Sequence, residues 1–185
     1  MKRNKILKLI PFVGLVFLSL TCEKEEAIVA PKANSQEVLF EVSYINFAWG
    51  EQASVFYVKS DGTVKLQNGK PRYLSDELKG QLTEVQIKEN LALATSTKKQ
   101  IATTELTKYS ALIGDLKKES FSKRIQNGAD MGAYTYTAYQ FSETEKVYNA
   151  IKLAEEGDWS SYNLDPNAKV ITAWLKSLQN EVYLK

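Results

Sequence analysis

The stretch SVFYVKSDGTVKLQ, Ser54–Gln67, decides how this chain folds. Two runs rich in β-branched and aromatic residues, Ser54–Lys59 and Thr63–Gln67, flank Asp61-Gly62. An Asp-Gly pair between such runs is a strong short-range hairpin signal. A two-residue loop would set Val55, Tyr57, Val64 and Leu66 on one face of the hairpin. Upstream, Val38–Trp49 alternates roughly (Val38, Phe40, Val42, Tyr44) and reads as a first strand ending near Gly50. Downstream, Asn68-Gly69-Lys70-Pro71 closes the unit with another turn.

The middle of the chain reads as helical. Ser75 can cap a helix whose first turn carries Asp76 and Glu77, where acids suit the helix dipole. Leu78, Leu82 and Val85 follow at helical spacing, but Gly80 and Thr83 weaken continuity, so two pieces are expected between Ser75 and Thr95. Thr95–Thr104 is polar and reads as a connection. Thr104 can cap a second helix with Leu106, Tyr109, Leu112, Ile113 and Leu116 on one face and Lys117-Lys118 in its last turn.

Two more alternating runs, Ala133–Phe141 and Lys146–Leu153, suggest a second hairpin linked by Ser142–Glu145. Asp158–Asn163 is turn-rich. Asp165-Pro166 is a helix start, an acid at the cap and proline at the first position. Ala168, Ile171, Trp174, Leu175 and Leu178 would form the inner face of that last helix. The order βββ-αα-ββ-α predicts an α+β domain, an antiparallel sheet of about five strands covered by about three helices.

The N-terminus carries a different kind of information. Met1–Lys8 holds Lys2, Arg3, Lys5 and Lys8 and no acid, and Leu9–Leu20 is almost wholly apolar. That is a charged region followed by an apolar stretch well short of the ~20 residues that span a bilayer. Cys22, the single cysteine of the chain, follows Ser19-Leu20-Thr21 and precedes Glu23-Lys24-Glu25-Glu26. This segment resembles a bacterial lipoprotein signal, although the usual pattern has Leu, not Ser19, three residues before the cysteine. The resemblance implies that Cys22 is lipidated and becomes the first residue of the mature protein. The acidic run resembles the export signal of lipoproteins that reach the outer face of the outer membrane. Residues 1–21 are then the signal peptide, 22–36 the lipidated cysteine and a flexible tether, and 37–185 one globular domain. The tether would reach ~20 Å as a flexible chain. The Asn46-Phe47-Ala48-Trp49-Gly50 run, the Gly157-Asp158-Trp159 run and the Trp174-Leu175 helix resemble small envelope lipoproteins of similar size, a likeness that carries no activity.

Removing the four basic residues of the signal leaves 20 basic residues against 22 acidic ones. A mildly acidic mature chain has no bulk electrostatic reason to bind nucleic acid. With one cysteine, no intramolecular disulfide can form. The chain has no histidine, which excludes a Ser-His-Asp triad, a Cys-His pair and imidazole metal ligands. Any enzyme here would have to work with carboxylates, Lys, Tyr, Ser or Thr.

Candidate chemistry is sparse. Pairing the last hairpin across Glu143-Thr144 sets Tyr139 opposite Tyr148 and Phe141 opposite Lys146. Tyr134, Tyr136, Val147, Ile151 and Leu153 then fall on the other face, the better core. Tyr139, Phe141 and Tyr148 would form a partly exposed aromatic patch suited to a sugar or a protein partner. The competing reading is that helices cover this face, or that a register slip exchanges the two faces. Asp61, Asp130, Glu155, Glu156 and Asp158 lie near expected turns, but their spacing brings no two together across a substrate as a glycosidase requires. Asp61 is explained by its turn and residues 155–158 by a solvated loop. No metal, cofactor or catalytic residue is expected. The lysine pairs read as solvated surface, and Ser120-x-x-Lys123 lacks the companion motifs of a serine nucleophile.

The sequence therefore points to an outer-membrane lipoprotein, anchored to the membrane through its N-terminal lipid. Its domain is expected to be a non-enzymatic binding or interaction module, on the cell surface or at the periplasmic face. The alternatives are an assembly or inhibitory partner of another envelope protein and a carboxylate-based hydrolase.

Overall fold

A computed structural model describes residues 36–117 and 120–183. The signal, Cys22 and all of the tether except Gln36 lie outside the described residues. The chain forms β1 (Val38–Asn46), β2 (Gln52–Lys59), β3 (Thr63–Asn68), a single 3-10 turn (Asp76–Leu78), β4 (Gln81–Thr83), α1 (Glu84–Leu93), β5 (Thr95–Gln100), α2 (Thr103–Ser110), β6 (Ile125–Gln126), β7 (Ala133–Ser142), β8 (Val147–Gly157), β9 (Trp159–Tyr162) and α3 (Pro166–Tyr183). This is an α+β architecture with three α-helices and an antiparallel sheet. The sheet has nine strands, not about five, in the order β5-β3-β2-β1-β7-β8-β9-β6, with β4 also paired to β8.

The four strands beyond the expected five are short or polar. β5, TSTKKQ, is an edge strand paired to β3. An edge strand needs only backbone hydrogen bonds on one side, and lysines there discourage further pairing. Its polar composition therefore concealed it as a connection.

Both faces of the sheet are covered. One packs Phe40, Val42, Phe56, Val58, Val64, Tyr136, Ala138, Ile151 and Leu153 against α2 and α3. On α3, Ala168, Ile171, Leu175, Leu178 and Val182 recur at three- and four-residue steps and are buried, which at full burial contributes roughly 1.5–3 kcal/mol for each large aliphatic chain. Trp174 stacks on Tyr109 of α2 at 4.2 Å, meets Phe40 edge-on at 5.2 Å and donates from Nε1 to Glu105 at 2.7 Å. The helix starts as expected: Asp165 Oδ1 accepts from the Asn167 amide at 2.8 Å, and Pro166 occupies the first turn. The opposite face packs Val38, Val55, Tyr57, Tyr139 and Tyr148 under Leu82, Ile87 and Leu91 of β4 and α1.

The Asp61-Gly62 hairpin forms with a three-residue loop rather than two. Gly62 donates to the Lys59 carbonyl at 3.0 Å and takes φ +82°, a left-handed position that glycine occupies without Cβ strain. Val58 therefore faces Val64, and Phe56 faces Leu66. One added loop residue exchanges faces: Val64 joins Phe56 and Val58 beneath α3, while Val55 and Tyr57 point to the α1 side.

Between Ser75 and Thr95 two pieces do form. Ser75 makes no side-chain cap, and Lys79 and Gly80 reverse the chain at positive φ. Thr83 instead caps α1, accepting from Gln86 N at 3.2 Å while Gln86 Oε1 accepts from Thr83 N at 2.8 Å. Val85 is exposed rather than part of an inner face. α2 starts after Ala102, not at Thr104, and ends at Ser110. Tight turns carry Ile113 and Leu116 into the core, so the apolar period outlasts the helix. Lys117 follows beyond the helix end, and Lys118 lies outside the described residues.

Candidate functional site

The aromatic trio sought from the sequence is brought together but not exposed. Phe141 and Tyr148 rings lie 4.8 Å apart, and Tyr139 and Tyr148 rings 5.9 Å apart. Tyr139 and Tyr148 are fully buried beneath α1 and β4, and only Phe141 is partly accessible, with Lys146 over its ring. The register differs from expectation as well: Tyr139 faces Ala150 and Phe141 faces Tyr148. The turn is longer than two residues because Lys146, at φ +56°, donates back to the Ser142 carbonyl, so Ser142 pairs with Val147. The register moves by two residues, so the face of each side chain is preserved while its partner changes. Tyr139 and Tyr148 belong to the core.

Where the same face leaves the cover of α1, it opens into a cleft of about 590 Å³. The end of β1 supplies Phe47, β7 supplies Thr135, the β8–β9 corner supplies Glu155, Asp158 and Trp159, and the segment before β6 supplies Arg124. Asp130 lies at the rim of the same cleft.

A β-bulge decides this grouping. Between Tyr136 and Thr137 the β7–β8 register jumps, so Tyr136 faces Ala154 and Thr137 faces Lys152. Leu153 is the extra residue. Without it, strand alternation would set Lys152 and Glu155 on opposite faces; with it, both point to the cleft side. Glu155 Oε1 then accepts from Arg124 Nη2 at 2.6 Å, and Oε2 lies 3.7 Å from Lys152 Nζ. Lys152 also pairs with Asp76 at 3.1 Å. The Arg124 guanidinium lies 5.0 Å from the Trp159 ring centre.

The cleft walls are tied to one another. Asn46 Nδ2 donates to the Asp130 carbonyl at 3.0 Å and its Oδ1 accepts from Ala48 N at 2.9 Å, which joins the Phe47 loop to the Asp130 loop. Asp158 Oδ1 accepts from Met131 N at 2.8 Å, and Asp158 N donates to the Gly132 carbonyl at 2.9 Å. A Cβ on Gly157 would overlap the Gly132 carbonyl oxygen. Of the lining aromatics, Phe47 is more than half exposed and Trp159 is 36% exposed.

No protein-family model matches this chain, and no curated protein or solved structure matches it. The site must be read from its own chemistry.

Of the acidic residues singled out in the sequence, Asp130, Glu155 and Asp158 converge on the cleft. Asp61 sits in its hairpin turn, accepting from Thr63 N and pairing with Lys59, and Glu156 pairs with Lys176 on the opposite face. Among the described residues no group of three or more acidic, His or Cys side chains closes up to hold a metal ion. The cleft residues not singled out for chemistry were Phe47, Arg124 and Trp159. For Phe47 and Trp159 the signal was an aromatic residue inside a turn-rich Asn/Gly/Asp segment, where a ring has little chance of burial; Arg124, beside Lys123, reads in sequence only as solvated surface.

Glu41 is a second polar feature, farther along the covered part of this face. It is buried between Tyr57 on β2 and Thr137 on β7. Burial pushes its carboxyl up to about 7, a hydrogen bond from Tyr139 pulls the other way, and the Asp76 charge adds a small upward push. With 3% of its surface exposed, Glu41 is out of reach of a substrate.

Proposed function

We propose that this chain is an outer-membrane lipoprotein, anchored through Cys22, whose α+β domain binds a ligand without chemical turnover in the Phe47/Arg124/Trp159 cleft. The carrying observation is a pre-formed cleft with two accessible aromatic rings and a mixed set of polar groups, the usual composition of a ligand site. Its position supports the same reading. Gln36, where the tether joins, is held at the start of β1 by donating to the Tyr139 and Val38 carbonyls at 2.6 and 2.8 Å. The cleft lies at the other end of β1, roughly 30 Å from Gln36 at ~3.3 Å per residue. For Glu155 binding is favoured over acid–base work, because both its oxygens are engaged by cations, whereas a glycosidase carboxyl must protonate or attack.

The anchor is tested by metabolic labelling with an alkyne palmitate and by membrane fractionation. Wild-type protein takes the label and sediments with outer membranes; Cys22→Ala takes none and leaves that fraction. Outer-membrane recovery of the Cys22→Ala protein would refute the anchor. Protease shaving of intact cells, with a periplasmic marker as leak control, separates the cell surface from the periplasmic face. A photo-crosslinking residue at position 47 tests the cleft. A single stoichiometric protein adduct would favour the alternative, an assembly or inhibitory partner of another envelope protein.

A further inference from the structure

We infer that the cleft takes an uncharged glycan; this rests on the reading of the cleft as a ligand site and narrows it to a substrate class. Charge disfavours an anionic ligand, the cation position on the Trp159 ring is already occupied by Arg124, and the ring surfaces and hydrogen-bonding groups fit a neutral sugar.

The cleft lining carries one cation, Arg124, and three carboxylates, Asp130, Glu155 and Asp158. An anionic ligand would meet the three carboxylates at close range, with the one lining cation among the described residues already bound to Glu155 at 2.6 Å. A cationic ligand would seek the aromatic face and the acids. Yet Arg124 already sits over Trp159 at 5.0 Å, and Lys152 lies 3.7 Å from Glu155. The favourable cation–π position on Trp159 is filled from within the protein. An uncharged ligand meets neither obstacle.

Such a ligand must still satisfy what the cleft offers. Among the described residues the Asp130 carboxylate makes no hydrogen bond or ion pair, and Asp158 uses only Oδ1, on Met131 N. These are acceptors for hydroxyl donors. The Arg124 guanidinium keeps N–H groups beyond the one bound to Glu155. Phe47 and the exposed part of Trp159 offer apolar ring surface. A sugar ring combines these complements: a C–H face for an aromatic ring and a rim of hydroxyls that both donate and accept. The loops that hold the cleft are cross-linked by Asn46 and Asp158, and a pre-organised site loses little on ordering.

The test titrates the full-length protein in detergent, labelled with 5-fluorotryptophan, and follows the fluorine resonances of Trp49, Trp159 and Trp174, assigned through Trp159→Phe. The probes are the neutral tetrasaccharides of cellulose, amylose, mannan and chitin, with tetragalacturonate as the anionic probe and tetralysine as the cationic one. The expected result is that at least one neutral tetrasaccharide shifts the Trp159 resonance saturably and leaves that of buried Trp174 in place. Asp130→Asn and Asp158→Asn should weaken that probe at least tenfold, as read by calorimetry. Asp130→Asn guards against misfolding, since that side chain has no structural partner among the described residues. If no neutral tetrasaccharide shifts Trp159, the glycan assignment is overturned. Saturation by tetragalacturonate or tetralysine in that case would keep the cleft as a ligand site with a charged ligand. Silence from all probes, together with no adduct from position 47, would overturn the ligand-site reading as well.

Discussion

The Tyr139 hydroxyl donates to Glu41 Oε2 at 2.7 Å, with both side chains buried between the sheet and α1. This pair makes the domain sensitive to pH. Glu41 titrates near 7 when folded, against an ordinary 4.5, because burial disfavours its charge. Its contribution is fully present below about pH 4.5 and is lost as pH rises through about 7. The loss should be on the order of 3 kcal/mol, at ~1.4 kcal/mol for each tenfold change in proton affinity. Urea denaturation from pH 4.5 to 8 should show the wild-type midpoint falling relative to Glu41→Gln. Parallel curves for the two proteins would mean that the carboxylate is solvated.

Tyr57 and Tyr139 lie on the same buried face and should respond oppositely to loss of their hydroxyls. Tyr57 Oη is buried with no hydrogen-bond partner among the described residues, so Tyr57→Phe should be neutral or stabilising by up to ~1 kcal/mol. Tyr139→Phe removes the donor to Glu41 and should cost about 1.5–3 kcal/mol at pH 8, where the acceptor is charged, and less at pH 5. Chemical denaturation at both pH values checks the contrast. Equal effects of the two variants would contradict the assigned bond.

Two glycines near the cleft separate backbone strain from steric overlap. Both take positive φ, +93° at Gly50 and +68° at Gly132. A Cβ at Gly50 meets nothing within 4 Å, whereas at Gly132 it would lie 2.6 Å from the Ile45 carbonyl oxygen. Gly50→Ala should cost about 1 kcal/mol, the penalty of a left-handed residue. Gly132→Ala must also move β1 and should cost about 2–4 kcal/mol. Thermal unfolding of the two variants tests the order, and equal losses would show that the Gly132 loop is free to yield.

Arg124 should matter to the cleft more than to the fold. Its side chain is 56% exposed while that of Glu155 is only 14% exposed, but Glu155 keeps Lys152 at 3.7 Å when Arg124 is removed, so the loss should be on the order of 1 kcal/mol. Arg124→Ala should therefore lower the unfolding midpoint only slightly. In a Trp49→Phe background, quenching of tryptophan fluorescence by the neutral quencher acrylamide should increase, because one face of Trp159 is uncovered. Unchanged quenching would mean that the guanidinium does not cover the ring in solution.

The local pieces of this domain were legible in the sequence because their causes are local. Asp165-Pro166 and the spacing from Ala168 to Leu178 define α3 and its inner face. Asp61-Gly62 marks a hairpin, alternation marks the strands, and parity assigned Tyr136, Ile151 and Leu153 to one face and Tyr139, Phe141 and Tyr148 to the other. The absence of histidine and the character of residues 1–26 are likewise properties of the chain alone. The tertiary structure decided what depends on a single residue of register or on distant partners. A three-residue loop carried Val64 and Leu66 to the opposite face. A polar segment became edge strand β5 because β3 offered it a backbone ladder. α1 and β4 covered both tyrosines of the expected patch. The extra Leu153 turned Glu155 toward Lys152 and Arg124, and so built a cleft from segments about 110 residues apart, from Phe47 to Trp159. Sheet side chains alternate with period two, so one inserted residue redirects all that follow, and its effect depends on which strand lies opposite.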